Sequence, residues 1–173
     1  WGDDHATFNQ VQKSLSHEYS IVSLDLPGFG GTQSPKHTWG LDDYALFVEH
    51  FIEKLNMKVY AIVGHSNGGA ISVRGMSIGA LKPKKLILLA SSGIRDQYKG
   101  KKKAIRLVAK VGKLAVSPLP KAAKNKIKRS AYASIGSDLF VAEHLQETFK
   151  KIVTDDIQKD TKNVTTPTLL IYG

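Results

Sequence analysis

The chain predicts an α/β fold: a doubly wound, mostly parallel sheet with one helical insertion before its last strand. Three observations carry that class. Short apolar runs alternate with longer amphipathic ones, the pattern of strands joined by helical crossovers. Two of the short runs end in glycine-rich turns, Pro27-Gly28-Phe29-Gly30-Gly31 and Gly64-His65-Ser66-Asn67-Gly68-Gly69. The alternation stops after Ser92-Gly93 and resumes only at Thr168. At 173 residues and 42% hydrophobic content, one domain with a buried core is expected.

Taken in order, Ala6 to Ser16 reads as a short helix, and Ile21 to Leu26 as a buried strand entering the Pro/Gly turn. Leu41 to Leu55 is an amphipathic helix: Asp42 and Asp43 stand at its positive end, and Leu46, Phe47, Phe51, Ile52 and Leu55 make an apolar stripe. Val59 to Val63 is a strand and Ala70 to Ala80 a helix. Leu86 to Ala90 is apolar throughout, which suits a sheet interior covered on both faces. Right-handed crossovers would place the strand ends, Ser66 included, along one sheet edge. From Arg95 to Lys162 only helical patterns appear, over 101–116, 121–135 and 137–153; Thr168 to Tyr172 is the last strand. The expected division is a core of residues 1–93 and 164–173 and a helical insertion of residues 94–163. With no strand ahead of Trp1 and an apolar strand closing the chain, both ends read as internal to a longer protein.

The net charge of +10 is confined to the insertion. Arg95 to Lys162 holds 17 Lys/Arg against 7 Asp/Glu, and the rest of the chain 8 of each sign. Lys99 to Arg129 has twelve basic residues and no acidic one. One reading is a solvated face whose counter-charges lie on a partner. The other is attraction to an anionic or membrane surface, or to an acidic, lipid-like substrate, because Ile105, Leu107, Val108, Val111 and Leu114 beside those lysines make a basic amphipathic helix. Nucleic acid is not an expected partner: Tyr98 and Tyr132 are the only aromatics near, and no binding module is recognisable. No apolar run approaches the roughly 20 residues that span a bilayer. The absence of cysteine excludes disulfides and fits a cytoplasmic protein, and Asn163-Val164-Thr165 reads as an accidental glycosylation sequon.

Gly64 to Gly68 is a G-x-S-x-G with a strand before it and a helix after it, the setting of a nucleophile elbow. Bulky neighbours would collide where strand and helix meet, and the turn holds the serine hydroxyl over the helix N-terminus. Other glycine-loop chemistries fail on detail. Gln33 stands where a dinucleotide loop needs its third glycine, and no Gly-Lys-Ser/Thr follows Gly64. With no cysteine and no paired histidines at helical spacing, no metal site and no cofactor are expected.

Strand, Asp25-Leu26-Pro27-Gly28-Phe29-Gly30 turn, helix, strand, Gly64–Gly69 elbow and helix, in this order, resemble the α/β-hydrolase superfamily over nearly the whole chain. The resemblance implies that Ser66 is a nucleophile, that Gly64, His65 and Gly68 shape the elbow, and that the insertion is a helical cap over the active site. It assigns one oxyanion donor to the backbone N–H of Asn67. Trp1, next to Gly2, is the candidate second donor, with an anchoring aromatic as the other reading of that residue. The superfamily's chain order is nucleophile, acid, histidine, which places the acid and histidine after Gly173. Among residues present, His65 adjoins Ser66, but neighbours across a sharp turn point apart, so it is expected to pack or hydrogen-bond inside. His5, His17, His37, His50 and His144 suit surface or capping roles. Asp96 follows a strand after which some relatives carry their acid, yet suits a helix start equally. Asp25 is expected to bind N–H groups in its own turn.

A serine at position 66 speaks against the epoxide-hydrolase and dehalogenase chemistries of this fold, which need a carboxylate there. The implied reaction is acyl transfer to water on a small-molecule carboxylic ester or related acyl substrate, through an acyl-enzyme. Peptidase or C–C bond hydrolysis is the enzymatic alternative. A non-catalytic module docking an anionic surface through the basic residues is the alternative of another class.

Overall fold

Parallel pairing organises the sheet. The computed structural model describes residues 3–94 and 145–173. Its elements are α1 (Asn9–Leu15), α2 (Leu41–Lys54), β1 (Ala61–His65), α3 (Asn67–Ser77), β2 (Lys85–Leu89), α4 (Gln146–Thr154) and β3 (Thr168–Ile171). The strands lie in the order β1, β2, β3, all parallel. Ala61 faces Lys85 and His65 faces Leu89 across one ladder; Leu86 faces Thr168 and Leu89 faces Ile171 across the other. Parallel neighbours need a crossover rather than a hairpin, and α3 is the crossover from β1 to β2.

The core gathers on the α3 side of the sheet. Leu86 and Leu88 of β2 are buried with Ala70, Ile71 and Val73 of α3, and with Leu41, Tyr44 and Ala45 of α2. Ile87 and Leu89, on the opposite face, are only half-buried, so among the described residues β2 is covered on one face and not on both. The α2–α3 crossing is close because Gly75 has no side chain: a Cβ there would stand 3.2 Å from the Ala45 Cβ. That contact turns the buried face of α2 toward Leu41, Tyr44 and Ala45, while Leu46 and Leu55 of the expected stripe are exposed. Asp43 Oδ2 accepts the Gly40 N–H at 2.6 Å and caps the helix start.

Two expectations differ from the structure. Ile21–Leu26 forms no strand, because among the described residues no strand lies beside it to complete a ladder. Residues 145–163, assigned from the sequence to the insertion, pack with the core. Ile152 and Ile157 are buried in the same cluster as Leu41 and Tyr44, Leu145 fills the space over Gly28, and the Trp39 N–H donates to Thr148 Oγ1 at 3.1 Å. A helical period does not distinguish an insertion helix from one returning across the core. The patterns at 101–116 and 121–135, the run Lys99 to Arg129, Asp96, His144 and Trp1 lie outside the described residues.

Candidate active site

The serine is held where β1 ends and α3 begins. Ser66 has φ 49° and ψ −114°, a left-handed backbone that non-glycine residues rarely adopt. Such a conformation costs about 1–3 kcal/mol and persists only where the surroundings over-determine it. Here they do. The Ser66 N–H donates to the Leu89 carbonyl at 3.0 Å, and the Ser66 carbonyl accepts N–H groups from Gly69 at 3.1 Å and Ser92 at 3.0 Å.

Glycine is required at two points of this turn. A Cβ on Gly64 would stand 2.7 Å from the Gly69 Cα and 2.8 Å from the Gly68 carbonyl oxygen, backbone atoms that cannot step aside. A Cβ on Gly69 would stand 2.2 Å from Ser91 Oγ. Gly68 meets nothing within 4 Å, so the steric demand expected at the second glycine of G-x-S-x-G falls one residue later.

Ser66 is half-buried and stands directly before the first residue of α3. As that first residue, Asn67 has no intrahelical acceptor for its N–H, which leaves a donor and the positive end of the helix beside the serine. The Asn67 side chain is buried, and its Oδ1 has no hydrogen-bond partner among the described residues. Ser72 Oγ donates to the Gly68 carbonyl at 2.7 Å and stiffens the first turn.

No histidine or carboxylate among the described residues is hydrogen-bonded to Ser66. His65 is exposed instead of packed inside, with its ring edge-on to Phe8 at 6.3 Å between centroids. His5 is engaged elsewhere: its N–H donates to Asp25 Oδ1 at 2.7 Å and its Nδ1 lies 3.0 Å from the same oxygen. Asp25 also accepts the Gly31 N–H at 2.9 Å, the in-turn role expected for it. The Gly31 N–H and then the His5 N–H hold the Asp25 carboxyl below its ordinary value of 3.8. An open hollow of about 330 Å³ beside this pair is lined by Ser23, Leu24, Phe47 and Phe51 and by none of the elbow residues. It is therefore not the site at Ser66.

Sequence reasoning missed Arg74. This α3 residue donates to Asp42 at 2.8 Å, Asp155 at 3.1 Å and Asp160 at 3.0 Å, joining the start of α2 to the segment that follows α4. Burial alone would lower its pKa, but the Asp42 hydrogen bond and the charges of Asp155 and Asp160 raise it. No periodicity signals such a junction. The contacts of Ser92 with the Ser66 carbonyl and of Ser91 with Gly69 were missed as well, and the run of small residues Ser91-Ser92-Gly93 is the signal for them.

Known proteins resemble this chain in sequence and in fold. The uncharacterized hydrolase YugF of Bacillus subtilis is 36% identical over 91 residues, which are 50% of this chain and 32% of that protein. A bacterial membrane phospholipase A has a solved structure that superposes with a TM-score of 0.69 at 21% identity, covering 99% of this chain and 59% of its own. The esterase EaEST of Exiguobacterium antarcticum gives a TM-score of 0.68 at 17% identity, over 98% of this chain and 69% of its own. The chain thus spans about a third or less of the first curated relatives it matches. A family model described as the alpha/beta hydrolase fold matches residues 1–171. With a parallel sheet, a strained serine between strand and helix, and that match over nearly its whole length, the chain belongs to the alpha/beta hydrolase family.

Proposed function

We propose that Ser66 is the nucleophile of a serine hydrolase that cleaves a carboxylic ester, or a related acyl bond of a small molecule, through an acyl-enzyme. The observation that carries this reading is the left-handed Ser66 backbone at the junction of β1 and α3. A solvated serine in an ordinary turn has no need of that strain. In the proposed step Ser66 Oγ attacks the acyl carbon while a histidine takes its proton. The resulting oxyanion takes the Asn67 N–H and a second donor, for which Trp1 is the candidate. The leaving alcohol departs with the proton; water, giving a proton to the histidine, then attacks the acyl carbon, the acyl group leaves as a carboxylic acid, and the histidine returns the proton to Ser66 Oγ. No step calls for a metal or a cofactor. We place the acid and the histidine later in the full-length protein than Ser66, following the superfamily's chain order. The relatives' greater length supports that placement. Esters come first because they are the commonest substrates on this scaffold; peptide or C–C bond cleavage is the alternative on the same machinery. The lack of cysteine supports a cytoplasmic setting, and among the described residues no helix is long and apolar enough to cross a membrane.

The charge partition favours a second reading. The twelve basic residues of Lys99 to Arg129 dock an anionic surface, and the elbow is vestigial. One experiment separates the two. The full-length protein is treated with a fluorophosphonate and assayed on short p-nitrophenyl esters, beside its Ser66→Ala variant. The hydrolase reading expects covalent labelling at Ser66 and a loss of ester turnover of about 10⁴-fold or more in the variant. An unlabelled wild type, with both proteins binding anionic vesicles equally and releasing them in high salt, would hand the function to the basic residues.

A further inference from the structure

The two backbone groups of Ser66 are held by the last residue of β2 and by the segment that follows it. The Leu89 bond continues the β1–β2 ladder, but Ser92 lies beyond the strand. Its N–H reaches the Ser66 carbonyl because the chain turns sharply at Ala90, which has φ 41°. Alanine is an unusual residue for that conformation, and the turn is braced on every side. The Ala90 N–H donates to the Ile171 carbonyl at 2.8 Å, and Tyr172 Oη donates to the Ser91 carbonyl at 3.3 Å. Ser91 fills the space that a Gly69 side chain would need. Gly93 follows at φ 109°, and its carbonyl accepts the Ile157 N–H at 3.0 Å.

We infer that Ala90–Gly93 is a positioning turn for the nucleophile, with the Ser92 N–H as the group that fixes the Ser66 peptide. The inference rests on Ser66 being the nucleophile. The turn orients the peptide that carries both Ser66 Oγ and, through the next bond, the Asn67 N–H. If it shifts, the attacking oxygen and the oxyanion donor move together, and transition-state alignment suffers while substrate binding does not. The expected signature is a fall in kcat at constant KM.

The packing of Ser91 on Gly69 supplies the test. In the full-length protein, Gly69→Ala drives a methyl into Ser91 and displaces the turn; adding Ser91→Gly removes the two closest atoms and leaves the Ser91 Cα at 3.2 Å, which a shift of a few tenths of an ångström relieves. On a p-nitrophenyl ester, Gly69→Ala is expected to lower kcat by about 10- to 100-fold with KM within about twofold, and the double variant to recover most of it. Ser92→Pro, which removes the N–H itself, is expected to match the single variant if it folds. Hydrogen exchange over residues 62–72 is read on the same proteins: faster in Gly69→Ala, restored in the double variant. Recovery of both readouts supports the positioning turn. A kcat loss that Ser91→Gly does not recover, or a folded Ser92→Pro with wild-type kcat, overturns it. If the wild type neither labels nor hydrolyses, the nucleophile reading has failed by itself, and exchange over 62–72 still decides whether the turn holds the elbow: unchanged exchange in Gly69→Ala overturns the inference.

Discussion

Steric demand at the elbow separates glycines that the motif writes alike. Gly64 faces backbone atoms at 2.7–2.8 Å, which cannot yield without moving the strand–helix junction, whereas Gly68 faces open space. Gly64→Ala is therefore expected to destabilise by about 3 kcal/mol, the upper end of overpacking costs. Gly68→Ala is expected to be neutral, or to stabilise by up to about 1 kcal/mol through helix propensity. Urea unfolding of the two variants measures the difference, and equal losses would mean that the elbow's packing is wrong as described. Asp25 gives a residue-scale prediction in pH. Its folded pKa is depressed, first by the Gly31 N–H and then by the His5 N–H. The contribution of its ionised form is thus fully present above the ordinary value of 3.8 and is lost as pH falls through the lower folded value. Wild type should exceed Asp25→Asn in stability around neutral pH, and the gap should close in acid below 3.8. A gap that stays constant across that range would show that the hydrogen bonds around Asp25 do not depend on its charge.

Between elements, Arg74 is the junction with the most to lose. Its side chain is 17% exposed, that of Asp160 is 15% exposed and that of Asp42 is 59% exposed. Removing the guanidinium leaves Asp42, Asp155 and Asp160 facing one another in partial burial, so Arg74→Ala is expected to cost about 2–3 kcal/mol. Asp42→Asn, at the wet end of the junction, should cost less than about 1 kcal/mol. Thermal unfolding of both variants checks the order, and an Asp42→Asn loss equal to that of Arg74→Ala would contradict it. None of this could be read from the sequence, where Arg74 and Asp160 are 86 positions apart. What could be read were elements with a strong local period. The apolar patterns of α2, β2 and β3 gave their positions to within a residue or two of the observed bounds. α3 starts at Asn67, three residues before the expected Ala70, because the elbow forces Gly68 and Gly69 into a helix that their propensity disfavours. β1 runs from Ala61 to His65, not Val59 to Val63, because the β2 ladder decides its register. At the candidate site, the motif marked the turn that carries Ser66 between strand and helix, while the supports at Leu89, Ser92 and Ser91 depend on a chain reversal at Ala90 that no residue preference announces.

At the scale of the whole molecule, two forces oppose each other on the surface. The described part of the sheet exposes Val63 of β1 and Leu169, Leu170 and Ile171 of β3, with Tyr60 and Tyr172 beside them, each about half exposed or more. Leu169 and Ile171 share a face with Val63, and Leu170 stands on the other; exposed apolar residues on a strand at an edge of the described sheet favour association through edge pairing and burial. The net charge of +10 resists it, since each approaching copy repels the next. Repulsion between exposed charges acts over a Debye length, about 10 Å at 0.1 M salt and about 3 Å at 1 M, whereas apolar burial is not weakened by salt. The 173-residue chain prepared alone is therefore expected to bind a hydrophobic dye at every salt concentration and to pass from monomer to larger species as salt rises. Leu170→Lys should move that transition to higher salt by adding charge to the edge strand. Sedimentation velocity across a salt series measures the transition. A chain that stays monomeric and dye-free throughout would show that the β3 edge is already covered, by sequence of this chain outside the described residues.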